Sequence, residues 1–207
     1  MKEVIIDRTN SSAVIECAVA EENDVPHIVF LLDKSGSMGA MLNETIENFN
    51  SFVDEQKELS DKAYMTLITF DSICHKVFTK KNVSQVDHLC RKIYRPLGCT
   101  ALYDAIGSTI HDIKDKNVLM VILTDGQEND SKKYKDKKKL FKLREDKEKE
   151  GWKFLYLGVS EESINDASSI GIAKQDTITW NNNAAGNLDA FTSINAKSLL
   201  YRKNRRN

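Results

Sequence analysis

Two short apolar runs, each closing on an aspartate, constrain this chain more than anything else in it. His27 to Leu32 reads His-Ile-Val-Phe-Leu-Leu and ends at Asp33. Val118 to Leu123 reads Val-Leu-Met-Val-Ile-Leu and ends at Thr124 and Asp125. Neither run alternates between apolar and polar residues, so neither suits a strand with one wet face. Such runs suit central strands of a parallel sheet covered on both sides. Trp152 to Val159 and Ala63 to Phe70 are weaker examples of the same kind.

Between these runs the period becomes helical. Leu42, Ile46, Phe49 and Val53 recur along one helical face, as do Leu102, Ile106, Ile110 and Ile113. Asp71-Ser72, between Ala63 to Phe70 and Ile73 to Phe78, reads as a tight hairpin that adds one antiparallel edge strand. A weak helix around Glu162 to Ile170, a short strand Thr177 to Trp180 and a last helix from about Ala185 to Leu200 complete the series. The expected fold is α/β: a three-layer, doubly wound, Rossmann-like sandwich with a mostly parallel sheet and one antiparallel edge strand.

No repeat or low-complexity linker divides the chain, so one domain is expected over residues 26–200. A basic tail is expected over 201–207 and an N-terminal extension over 1–25. In that extension Val4 to Ile6 and Ala13 to Val19 flank Thr9-Asn10-Ser11-Ser12, the pattern of a β-hairpin that covers a sheet edge or adds a strand to a partner.

At 207 residues, 41% of them hydrophobic, the chain can bury a stable core without disulfide or metal staples. Thirty Lys and Arg against 31 Asp and Glu give a net charge of -1, which argues against a nucleic-acid binder of the uniformly basic kind. No secretory leader pattern and no apolar window of membrane-spanning length occur, so a soluble, cytoplasmic protein without membrane contact is expected. Cys17, Cys74, Cys90 and Cys99 are far apart and read as reduced thiols. Cys74, His75, His88, Cys90 and Cys99 are zinc-ligand types, but their spacing is not that of a local zinc site.

Ligands of open α/β sheets bind beyond the carboxyl ends of the central strands. Asp33-Lys34-Ser35-Gly36-Ser37 follows the first core strand and leads into a helix. Thr124-Asp125-Gly126 follows the other, and Gly98-Cys99-Thr100 precedes the helix that starts at Ala101. These segments bring Asp33 and Asp125 toward one crevice with the hydroxyls of Ser35, Ser37 and Thr100. Mg²⁺ favours a few oxygen ligands plus water, and two carboxylates with three neutral hydroxyls meet that preference while leaving a position for a further anion. Gly36 is expected to supply the bend that turns both serines inward. Taken singly, each residue also fits an ordinary part: Ser37 or Thr100 a helix cap, Asp33 or Asp125 a turn.

Asp33-x-Ser35-x-Ser37 after an apolar strand, Thr100 in Gly-Cys-Thr-Ala-Leu-Tyr-Asp-Ala, and Asp125 in Leu-Thr-Asp-Gly resemble the metal-ion-dependent adhesion site of the von Willebrand factor type A domain. The resemblance runs from about Pro26 to Ala190 and is nearest to the small intracellular bacterial and phage members. It implies that Asp33, Ser35 and Ser37 bind Mg²⁺ or Mn²⁺, with Thr100 and Asp125 completing the shell directly or through water. It also implies a protein partner that presents Asp or Glu to the metal. No signal peptide, disulfide pattern or further adhesion segment accompanies these motifs, so an adhesion role is not expected.

Mg²⁺ beside an aspartate at a strand end also describes the haloacid dehalogenase type of phosphohydrolase, the alternative reading. There the nucleophilic aspartate is followed two residues on by an acidic general acid, where this chain has Ser35. Phosphate-binding glycine loops and a nucleophile elbow are missing from the sequence, and His27, His75, His88 and His111 are tied to no nucleophile. The expectation is a binding module and not an enzyme. Two basic stretches, Lys132 to Lys139 and Tyr201 to Arg206, read as a solvated helix face and a frayed terminus; Lys142 with Asp146 and Glu145 with Lys149 have ion-pair spacing.

Overall fold

A computed structural model describes residues 25–159, 161–180 and 184–204. The N-terminal hairpin expected over 1–25 falls almost wholly outside the described residues, as do 205–207 of the basic tail. The apolar runs form strands: β1 is His27–Asp33 and β4 is Val118–Thr124, every residue of both buried. With β2 (Tyr64–Phe70), β3 (Cys74–Asn82), β5 (Lys153–Gly158) and β6 (Thr177–Thr179) they make a six-stranded sheet in the order β3-β2-β1-β4-β5-β6. All neighbours are parallel except β2 and β3, the expected hairpin.

Helices cover both faces because successive strand residues point opposite ways. Ile28, Phe30 and Leu32 of β1 belong to the core layer shared with α1 (Leu42–Lys57) and α5 (Ala184–Asn204); Val29 and Leu31 belong to the opposite layer, shared with α2 (Leu102–Asp112), α3 (Lys137–Lys149) and α4 (Glu161–Ser169). Phe30 is the hub of the first layer, its ring centroid 5.2 Å from Phe49, 5.7 Å from Phe52 and 6.0 Å from Phe191. Register then sets the site's height: Leu32 lies opposite Leu123, so Asp33 and Thr124 leave the sheet at the same level.

Four local features differ from the sequence reading. A 3-10 turn, Gly36–Met41, separates the Asp33 loop from α1. Gly36 itself does not have positive φ; the left-handed glycine beside that loop is Gly98, at φ 82°. Basic helix α3 begins at Lys137, not Lys132, because Asp136 caps it by accepting the N–H groups of Lys138 and Lys139. Residues 201–204 are not a frayed tail. They continue α5, and Arg202, 1% exposed, donates from Nη1 to the Gln56 carbonyl (2.8 Å) and side-chain oxygen (3.0 Å), and from Nη2 to the Asp61 carbonyl (2.8 Å).

The exposed edge strand β3 is irregular. Its pairing with β2 slips between Met65 and Leu67 and again between Leu67 and Ile68, and Lys80 takes φ 45°. Its outer lysines are matched by acids, Lys76 to Asp112 at 2.7 Å and Lys81 to Asp87 at 2.6 Å.

Candidate metal site

Asp33 is completely buried at the end of β1. Its Oδ1 accepts the Ser35 N–H at 2.6 Å and its Oδ2 accepts the Thr124 hydroxyl at 2.5 Å. Tyr94, also fully buried, donates its hydroxyl to the Asp33 carbonyl at 2.6 Å. Burial pushes the Asp33 carboxyl up to about 6, partly offset by the Thr124 and Ser35 hydrogen bonds and reinforced by the like charge of Asp125. Burial also raises Asp125, against the hydrogen bond it accepts from Ser37. The donors to these carboxylates are neutral groups, the Ser35 N–H and Thr124 hydroxyl to Asp33 and the Ser37 hydroxyl to Asp125. Lys34, in the same loop, is turned away to pair with Asp71.

The hydroxyls are not used as helix caps. Ser35 precedes the 3-10 turn without making a side-chain cap, and the residues before α1 and α2 are Met41 and Ala101. Ser37 Oγ donates to Asp125 Oδ1 at 2.7 Å and lies 3.2 Å from Ser35 Oγ. Since Ser37 has one hydroxyl proton, given to Asp125, Ser35 is the donor between the serines. Thr100 is buried and clamped through its backbone: its N–H donates to Asn129 Oδ1 at 2.8 Å, and its carbonyl accepts the Asn129 N–H at 3.0 Å.

The position of Gly126 shows where these groups point. A Cβ there would fall 3.0 Å from Thr100 Oγ1, 3.8 Å from Ser37 Oγ and 3.9 Å from Asp33 Oδ2. Thr100, Ser37 and Asp33 thus border a space that a larger residue at 126 would invade, and Ser35 and Asp125 join them through hydrogen bonds with Ser37. Two carboxylates and three hydroxyls, with no nitrogen or sulfur donor, suit a hard divalent cation. Among the described residues, no group of three or more His, Cys, Asp or Glu is placed to hold a metal, and Cys74, His75, His88, Cys90 and Cys99 do not assemble. His27 is instead a buried structural residue, with Nδ1 3.0 Å from Asp115 Oδ2 and Nε2 2.8 Å from Thr66 Oγ1.

Sequence reasoning missed the supports. Thr124 was visible in the Leu-Thr-Asp-Gly motif, but its bond to Asp33 was not. Tyr94 lies in an irregular segment that no local pattern marks; Asn129 lies in the acidic loop Gln127 to Asp130 that follows the Asp125 motif, where its clamp on Thr100 is not visible. Asp71, read as a hairpin turn, also holds Lys34 and accepts the Ala101 N–H through its carbonyl at 2.8 Å, joining the β2–β3 tip to the start of α2.

The strand order turns between β1 and β4, and Asp33 and Asp125 stand on either side of that turning point. The molecule is therefore a doubly wound α/β domain with an oxygen-lined polar site at its topological switch point. A family profile for the von Willebrand factor type A domain matches residues 27–195, and the chain belongs to that family. Among solved structures it is similar to proximal thread matrix protein 1 from the mussel byssus (16% identity, TM-score 0.61), over 92% of this chain and 52% of that one. The chain thus spans about half the mussel protein, another structure of which has a zinc-occupied MIDAS motif. It is similar to the vWF domain of the type V pili tip protein Mfa5 from Porphyromonas gingivalis (13% identity, TM-score 0.59; 84% and 96% of the two chains). It is also similar to the manganese-loaded TRAP protein of Plasmodium vivax (17% identity, TM-score 0.52; 82% and 74%). No curated protein matches the chain in sequence. Among the described residues, no helix is long and apolar enough to cross a membrane.

Proposed function

We infer that the chain is a metal-dependent protein-binding module and not an enzyme. Asp33, Ser35, Ser37, Thr100 and Asp125 hold Mg²⁺ or Mn²⁺, and the partner supplies an Asp or Glu side chain. The observation that carries this reading is the pair of desolvated carboxylates, hydrogen-bonded to neutral donors, beside the hydroxyls of Ser35, Ser37 and Thr100. A bound divalent ion would offset their charge and offer a Lewis-acidic position to a partner's carboxylate. The protein's share is to keep that position open: Gly126 leaves the space, Thr124 and the Ser35 N–H fix the Asp33 carboxylate, and Asn129 fixes Thr100. Support for a metal comes from the mussel protein with its zinc-occupied motif and from the manganese-loaded Plasmodium protein. The all-oxygen donor set favours Mg²⁺ or Mn²⁺ over zinc in this chain.

The phosphohydrolase alternative has little to rest on: Ser35, buried and bonded to Ser37, has no proton acidic enough to serve as a general acid. We place the domain with the small intracellular bacterial and phage members, in the cytoplasm. The described cysteines, Cys74, Cys90 and Cys99, are all free and exposed, which suits a reducing compartment. Calorimetric titration with Mn²⁺ should show one site that is lost in Asp33→Ala, and partner capture from the native host should be lost with chelator. A partner held equally well in chelator and by Asp33→Ala would overturn the reading.

A further inference from the structure

Lys132 to Lys139 contains six lysines against one acid, Asp136, and all six lysines are exposed. The segment is built into the molecule. Asp104, in the first turn of α2, accepts the backbone N–H groups of Lys132 (2.8 Å), Lys133 (2.9 Å) and Tyr134 (2.7 Å). Tyr134 lies so closely on Gly107 that a Cβ there would fall 2.4 Å from its ring. The lysines are therefore displayed from a fixed ledge, which lowers the entropy lost when they meet a partner.

The ledge adjoins the candidate metal site. It links β4 to the start of α3, so it stands at the same carboxyl edge of the sheet as Asp33 and Asp125. The loop between them is tied at both ends: Asn129 and Asp130 donate their N–H groups to the Thr100 carbonyl (3.0 and 3.3 Å), and the Glu128 carboxylate accepts the N–H groups of Tyr103 (2.9 Å) and Ser131 (2.7 Å) while its own N–H donates to Asp166 (3.0 Å). Asp166 also faces Lys137 at 3.6 Å. Lys132 has a distant acid, Asp130 at 3.8 Å, and Lys133 lies over the Tyr134 ring. Lys135, Lys138 and Lys139 have no acidic partner among the described residues.

We propose that this ledge is a second contact for the partner that uses the metal, and that the partner's metal-seeking Asp or Glu lies within a run of acidic residues. The inference rests on the metal-dependent reading above. An acidic peptide fits better than a nucleic acid because Tyr134, the aromatic of the ledge, is packed on α2 and not presented for base stacking. Exposed pairs are individually weak, so several act together and are screened by salt.

The test is fluorescence anisotropy on the full chain with two labelled peptides, one carrying a single Glu among neutral residues and one carrying six Glu. In Mg²⁺ at low salt the acidic peptide should bind roughly tenfold more tightly, three weak pairs being enough for that factor. Lys135→Glu, Lys138→Glu and Lys139→Glu combined should erase the preference and flatten its salt dependence, while leaving single-Glu binding and its loss in chelator unchanged. Neutral Lys→Gln replacements should give an intermediate loss. If the combined variant keeps the full preference, the ledge inference fails and the metal reading stands. If acidic-peptide binding ignores chelator and Asp33→Ala yet depends on the lysines, the metal reading fails, and the shared-partner claim with it. A single-stranded oligonucleotide that outcompetes the acidic peptide would overturn the assignment in favour of nucleic acid.

Discussion

Asp33 is fully buried near a second carboxylate and its hydrogen bonds come from the neutral Ser35 N–H and Thr124 hydroxyl, so its charge works against folding. Asp33→Asn keeps the shape and can still receive the Ser35 N–H, with Thr124 reversing its hydroxyl. In chelator this variant should be more stable than the parent by roughly 1–3 kcal/mol in urea unfolding, while Mn²⁺ binding disappears. A less stable variant would mean that the Thr124 and Ser35 bonds outweigh the burial of charge. Gly126→Ala should act on binding alone: its methyl would stand 3.0 Å from Thr100 Oγ1, weakening Mn²⁺ binding at least about tenfold in titration with only a small change in unfolding. The five candidate residues were legible in the sequence because a buried strand fixes where its last residue emerges and the motif spacing sets the rest. Tyr94, Asn129 and Glu128 were not, since their contacts join segments whose proximity depends on the whole tertiary fold.

Among the elements, the core strands and the amphipathic helices were readable from period alone, but their ends were decided by partners far along the chain. Lys132 to Tyr134 have helical composition, yet Asp104 takes their N–H groups and holds them out of α3. Gly107→Ala should push Tyr134 off α2 and loosen this segment, costing about 1–3 kcal/mol and raising amide exchange across 128–136 without unfolding the sheet. Arg202 looked like part of a basic terminus and is in fact the peg that holds α5 to the end of α1. Arg202→Ala removes the guanidinium from the Gln56 and Asp61 acceptors and should cost about 3 kcal/mol in denaturant unfolding; Lys, without the planar fork, should recover little of it.

At the scale of the whole molecule, the end opposite the candidate site is tied by Asp115. Its carboxylate meets His27 of β1 at 3.0 Å and Lys80 of β3 at 2.8 Å, and its carbonyl accepts the Trp152 indole N–H at 2.8 Å. The His27 hydrogen bond, opposed by burial and helped by Lys80, holds this carboxyl well below the usual carboxylate range. A group lowered on folding contributes stability that is present above its unfolded value, near 3.9, and is lost as pH falls toward its folded value. Stability should therefore drop below about pH 4, and Asp115→Asn should flatten that acid limb when unfolding is followed by circular dichroism. Mn²⁺ at about a hundred times its dissociation constant should add roughly 2.7 kcal/mol to the parent and nothing to Asp33→Asn. The crumpled outer strand, with its two slips and its kink at Lys80, has a consequence for how copies of this protein meet. A foreign chain seeking a straight ladder to extend finds none along that flank, so crowding should not zip these molecules together through this edge.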